Sequence, residues 1–213
     1  MTYIKRNIET TIEKLEKMFT SVLITGARQV GKTTTLKHLK SHLKYITLDD
    51  PLLLQTATDD PGVFFKNTSP PVIVDEIQYA PQLLSYIKMI GDETSKKGLF
   101  YLTGSQKFHM MKNVSESLAG RIAIINLLGL SLREIQEIEC NQPFITEETY
   151  LRERTKQVKK TDYQQIWEII HQGAMPAMYS QELDWKIYYG SYTKTYIERD
   201  VRDLTKIGDE QKF

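Results

Sequence analysis

A chain of 213 residues that is 40% hydrophobic and 26% charged has the composition of a globular protein and excludes a disordered one. A formal net charge of +1 excludes a global field for nucleic acid or an anionic membrane, so any such contact rests on a local patch. The single cysteine, Cys140, excludes an intramolecular disulfide and a thiolate metal site and suits a reducing cytoplasm.

The first residues lack the apolar core of a secretory signal, and the longest mostly apolar run, residues 122–130, is too short to span a bilayer. A cytoplasmic protein with no membrane partner is expected. Ile8, Ile12, Leu15 and Phe19 share one helical face. Val22, Leu23 and Ile24 then run without alternation, which predicts residues 21–25 as a strand buried on both faces of a parallel sheet. Leu36, Leu39 and Leu43 mark a helix after it, and residues 45–48 a second strand, ended by the proline of "LDDPLLL". "TATDDPGVFFKNTSPP" reads as loop and turn, delivering the chain into a third buried strand, residues 72–76. Leu83, Leu84, Ile87 and Ile90 predict the next helix, with Gly91 and Gly98 bracketing its end. "LFYLTGS" predicts a fourth strand and residues 123–128 a fifth.

This alternation implies an α/β fold, a doubly wound parallel five-stranded sheet with right-handed crossovers, over a core of residues 1–130. A helical appendage is expected over residues 131–213. Within it Ser131 and Glu134 fit a capping box, and the polar stretch 146–161 reads as a mobile connection. Tyr163, Ile166, Trp167 and Ile170 form an apolar stripe, "GAMPAMY" breaks the chain, and residues 185–204 read as a last helix.

Gly26, Gly31, Lys32 and Thr33 satisfy GxxxxGK[ST], a pattern that roughly one chain in a hundred of this length would match by chance. Its place between a buried strand and a helix strengthens it, because free backbone N–H groups and the helix dipole there face an anion. Glycines admit phosphates close to the backbone, Lys32 can reach β and γ oxygens, and the Thr33 hydroxyl can ligate Mg²⁺. The competing reading is a glycine-rich turn. Asp75 ends a buried strand at the carboxyl edge of the sheet, where it can hold the Mg²⁺ shell. Glu76 follows it, placed to orient an attacking water or take its proton. A strand-end acid on the solvated rim is the alternative. An activated water rather than a phosphate-accepting substrate favours ATP hydrolysis over a small-molecule kinase.

In "TGSQ", Ser105 or Gln106 could sense the γ-phosphate from the fourth strand, unless the segment is a simple turn. Arg121 could supply positive charge to the transition state, in cis or across a subunit boundary, and an ion pair with Glu116 is its rival. "ERDVRD" pairs Glu198 with Arg202 and Arg199 with Asp203 at i,i+4, the pattern of a solvated helix face, with a role for either arginine at the nucleotide as the sharper reading. His38 and His42 are four apart without an accompanying carboxylate and read as a helix surface rather than a metal site.

Taken together, "ITGARQVGKTTTLK", "PVIVDEIQYAPQLL", "LFYLTGSQ", "SESLAGR" with "LSLREI", and "TYIERDVRDL" resemble the AAA-type P-loop ATPases of the AAA+ superfamily in bacteria and archaea. In these an AAA domain precedes a C-terminal domain of unknown function. The resemblance implies that Gly26, Ala27, Arg28, Gln29, Val30, Gly31, Lys32, Thr33 and Thr34 form a Walker A motif that binds ATP. It makes Asp75 and Glu76 the Walker B acids, with Thr33 and Asp75 on Mg²⁺. Ser105 or Gln106 becomes the sensor, and Arg121 an arginine finger that a homo-oligomer could supply in trans. Tyr3 and Arg6 fall in an N-terminal segment that lies near the base in such ATPases. Family members typically continue through a winged-helix-like segment and a further domain, so a chain ending at Phe213 resembles an N-terminal fragment, and DNA contact would belong to the missing part. The implied function is Mg²⁺-dependent ATP binding and hydrolysis coupled to conformational change. The alternatives are a nucleotide-dependent switch and a DNA-associated ATPase with little hydrolysis in this fragment.

Overall fold

A computed structural model describes residues 3–104, 118–138 and 144–196. The chain divides into two compact units, residues 4–145 and residues 146–213 with 1–3.

In the first unit, β1 (Ser21–Thr25), β2 (Lys44–Thr47), β3 (Val72–Asp75), β4 (Phe100–Gly104) and β5 (Ile122–Asn126) form one sheet in the order β2-β3-β4-β1-β5. Every pairing is parallel. Val22, Leu23 and Ile24 are wholly buried, as their unbroken apolar run requires in a sheet covered on both faces. Leu23 lies between Leu102 and Ile124 in register. With Val72, Val74 and Phe100 it packs against Leu83, Leu84 and Ile87 of a helix, α5 (Leu83–Thr94). Two further helices, α1 (Glu9–Leu15) and α2 (Lys32–Leu39), bury Ile12 and Leu36. The second of these stops before Leu43, the last residue of the apolar spacing that announced it. Gly91 does not end α5 but sits inside it, because a Cβ there would lie 2.8 Å from Cγ2 of Thr20 and would push the helix off the start of β1.

Residues 56–71, expected to be loop and turn, instead carry the end of one helix, α3 (Pro51–Asp59), and all of another, α4 (Pro61–Asn67). Each opens on an Asp-Pro pair. Asp50 accepts the Leu52 and Leu53 amides at 2.9 and 3.3 Å, and Asp60 accepts the Val63 amide at 2.9 Å. An N-cap carboxylate followed by a proline at the first helical position starts a helix as readily as it stops a strand. Burial fixes the outcome: Phe65 stacks edge-on against Phe64 and Phe100, with ring centroids 5.2 and 5.6 Å apart. After β5, Ser131 and Glu134 close the expected capping box on a short helix, α6 (Leu132–Ile135).

In the second unit, α7 (Glu148–Lys156) occupies much of the stretch expected to be a mobile connection. Good helix formers and a Glu148–Arg152 pair at i,i+4, 2.5 Å apart, outweigh its polarity. It is followed by α8 (Tyr163–Gln172), α9 (Ala177–Ser180) and α10 (Trp185–Tyr196). The apolar stripe on α8 is real as a pattern, yet Tyr163, Ile166, Trp167 and Ile170 are all exposed among the described residues. His171 stacks on Trp185 with centroids 5.1 Å apart. Residues 197–204 of the expected last helix lie outside the described residues. No helix among the described residues is long and apolar enough to cross a membrane.

Candidate functional site

β1 ends at Thr25, and the chain turns through residues 26–31 into α2. Gly26 has a φ of 144°, and a Cβ on it would lie 2.3 Å from the Leu127 carbonyl oxygen, so backbone conformation and the segment after β5 both demand glycine. Gln29 and Gly31 are left-handed as well, at 60° and 97°. Gly31 is the N-cap of α2 and brings no capping side chain, and the first amides of a helix have no intrahelical acceptor. The buried Lys32 ammonium folds back over the loop, donating to the Gly26 and Ala27 carbonyls at 3.1 and 2.9 Å.

One residue on, the Thr33 hydroxyl donates to Oδ1 of Asp75 at 2.8 Å. Asp75 is the last residue of β3 and is buried. Its Oδ1 also accepts from the Thr103 hydroxyl on β4, while Oδ2 accepts from the Tyr45 hydroxyl on β2 at 2.7 Å. Burial first, then the hydrogen bond and negative charge of Asp75, push the Tyr45 phenol far above its ordinary value, which keeps it protonated and a donor. The chain leaves β3 through Glu76, which is left-handed at a φ of 59° and starts a 3-10 turn over Ile77–Tyr79. The Glu76 amide donates to the Thr103 hydroxyl at 3.2 Å, and the Gln78 side-chain amide donates to its carboxylate.

Lys32, Thr33, Asp75 and Glu76 therefore converge at the carboxyl edge of the sheet, where ligands bind in open α/β folds. Thr33 Oγ1 and Asp75 Oδ1 are hard oxygen donors, the kind Mg²⁺ takes, and Mg²⁺ uses one or two such groups with phosphates and waters completing its shell. Among the described residues no group of three or more His, Cys, Asp or Glu could hold a metal by itself, and His38 and His42 belong to none.

Two contributors, Thr103 and Tyr45, lie outside simple motif reading, and a third, Arg6, is singled out only through the N-terminal segment of the resembled family. Thr103 donates to the Asp75 carboxylate and accepts the Glu76 backbone amide, and it follows from register, since Leu102 pairs with Val74 and the next residue of β4 comes level with Asp75. Tyr45 reaches Asp75 from the neighbouring strand. Arg6, only 4% exposed, donates Nη1 to the Val30 carbonyl at 2.8 Å, Nη2 to the Leu128 carbonyl at 2.8 Å, and Nε to Glu134 at 3.1 Å. It ties the loop to the segment after β5.

Arg121 is placed elsewhere. It precedes β5, its carbonyl accepts the Ser21 amide at 3.1 Å, and it therefore sits at the amino edge of the sheet, away from Gly26 and Asp75. Its guanidinium pairs with Asp92 through Nε at 2.5 Å and Nη2 at 3.1 Å. A parallel strand separates its two ends by the strand's full length, so β5 stands between Arg121 and the edge that carries the loop of its own chain. Among the described residues its ion-pair partner is Asp92. Ser105, Gln106, Glu116, Arg199 and Arg202 lie outside the described residues.

A family model described as an AAA domain matches residues 19–136. Two curated relatives, uncharacterized proteins of Mycobacterium bovis and Mycobacterium tuberculosis, are each 31% identical over 115 residues, covering 54% of this chain and 26% of theirs. The chain thus spans about a quarter of the length of the curated relatives it matches. Among solved structures, a Signal Transduction ATPase with Numerous Domains (STAND) protein with a tetratricopeptide repeat sensor from Pyrococcus horikoshii is similar. Its TM-score is 0.51 over 91% of this chain and 32% of that one, at 13% identity, a likeness of fold.

Proposed function

The chain belongs to the AAA domain family, with the α/β core of a P-loop ATPase, and on that premise we propose that it binds ATP with Mg²⁺ at residues 26–34 and hydrolyses it, coupling turnover to conformational change. The observation that carries this reading is the 2.8 Å contact between the Thr33 hydroxyl and Asp75, two residues delivered by different elements to the same sheet edge. Lys32 is placed to exchange its loop carbonyls for phosphate oxygens, and the amides at the start of α2 to meet the rest of the phosphate charge. Mg²⁺, when bound, supplies further neutralisation of that charge. Glu76, one residue beyond Asp75, orients the attacking water or takes its proton.

The test is phosphate release from ATP and Mg²⁺, with ATP binding measured in parallel. Lys32→Ala removes a charge-assisted contact worth about 1.5–3 kcal/mol, so ATP binding should weaken roughly ten- to a hundredfold. Affinity surviving that change would remove the phosphate-loop assignment.

The position of Arg121 favours a second reading, a nucleotide switch whose hydrolysis waits for a neighbouring copy. At the amino edge, 38% exposed and paired with Asp92, this arginine is presented outward rather than to its own loop. Specific activity should then rise with protein concentration, and Arg121→Ala should abolish the rise. A specific activity that stays flat across concentration would eliminate the switch.

A further inference from the structure

Asp75 is held at both oxygens, by donors from three elements. Thr33 on α2 and Thr103 on β4 hold Oδ1, and Tyr45 on β2 holds Oδ2. The register explains how the phenol arrives. Thr47 lies opposite Asp75 and Tyr45 opposite Ile73, so Tyr45 is the diagonal neighbour of Asp75, within reach of an aromatic side chain across a ladder. The ring is itself held from the helix: the Lys37 ammonium stands 3.5 Å from its centroid, one helical turn after Thr33. The same face of α2 thus sends a hydroxyl to one carboxylate oxygen and clamps the ring that grips the other.

We infer that Tyr45 is a positioning residue for Asp75, fixing the rotation of the carboxylate so that Oδ1 faces the Thr33 side where the magnesium of a bound nucleotide would sit. This rests on the nucleotide reading above. A carboxylate gripped at one oxygen swings about its Cβ–Cγ bond; gripped at both, it keeps one orientation. A neutral donor suits the purpose, since it orients the carboxylate without cancelling the charge that attracts the cation. A lysine or arginine at position 45 would compete with the metal. Outer-shell partners of this kind set metal affinity by about 10- to 100-fold.

The experiment titrates ADP or ATP onto the wild type, Tyr45→Phe and Lys37→Ala, first in chelator and then across a magnesium series. Tyr45→Phe keeps the ring and its cation contact and deletes only the hydroxyl. Nucleotide affinity in chelator should be unchanged, while the magnesium concentration that half-saturates the nucleotide complex should rise about tenfold. Lys37→Ala, at an exposed position that spares the fold, should raise it by about two- to fivefold, the worth of a surface cation–π contact. An unchanged magnesium requirement in Tyr45→Phe would overturn the inference. So would an equal loss with and without magnesium, which would make the phenol a support of the fold. Absence of nucleotide binding in the wild type would remove the nucleotide reading itself and this inference with it.

Discussion

Glu76→Gln is expected to leave ATP bound and to lower turnover by about 10²- to 10⁴-fold, the usual cost of losing a general base. The substitution preserves the shape of the side chain. The Glu76 amide keeps its bond to the Thr103 hydroxyl, since that contact is made by the backbone. Glutamine also tolerates the left-handed conformation, as Gln29 in the loop shows at a φ of 60°. What disappears is a group able to accept a proton at the end of β3. Phosphate release per bound nucleotide is the readout that separates this from a binding defect. Turnover equal to the wild type's would sink the role, and a parallel loss of binding would point instead to collapse of the edge around Asp75.

The second large effect is on stability. Arg6→Met is expected to destabilise the first unit by about 3–5 kcal/mol, because it strips one partner from a buried ion pair and leaves the other charged. Glu134 is only 7% exposed, and it accepts from Arg6 Nε, the Asn7 amide and the Ser131 amide, the last two at 2.8 and 2.7 Å. Burial by itself would push the Glu134 carboxyl up, but the Ser131 and Asn7 amides and the charge of Arg6 outweigh it and hold the group below its ordinary value. The sign follows: a depressed carboxyl contributes fully above the unfolded value of about 4.3 and loses that contribution as pH falls through the folded one. Denaturant titration at neutral pH measures the loss. A change within about 0.5 kcal/mol, the range of an ordinary surface substitution, would mean the pair is not held as described.

The strands and the loop were legible because both are written locally. Residues 21–25 announce a doubly buried strand by running apolar without alternation, Gly26 sits where a side chain has no room, and Gly31 takes a left-handed conformation that favours glycine. The chain does leave β2 before Pro51, but an Asp-Pro pair that ends one element can also open the next, and at Asp60-Pro61 only the burial of Phe64 and Phe65 decides for a helix. Thr103, Tyr45 and Arg6 carry no periodic signal. Arg6 and Glu134 are 128 residues apart in sequence, and a pairing of that span is created by the fold. Arg121 is different, since its place was inferable: a residue that enters a parallel strand lies at the edge opposite the one where the phosphate loop leaves. The polar surface of residues 146–161 concealed a helix for want of any buried position.

The grip of the Gly26 and Ala27 carbonyls on Lys32 also bears on how fast the site can act. A lysine surrenders about 1.5–2 kcal/mol of rotamer freedom when it is immobilised, and here that freedom is already gone before any phosphate arrives. On the proposed function, recognition would begin as an exchange of acceptors on an ammonium already in place, with no swinging side chain left to find its rotamer.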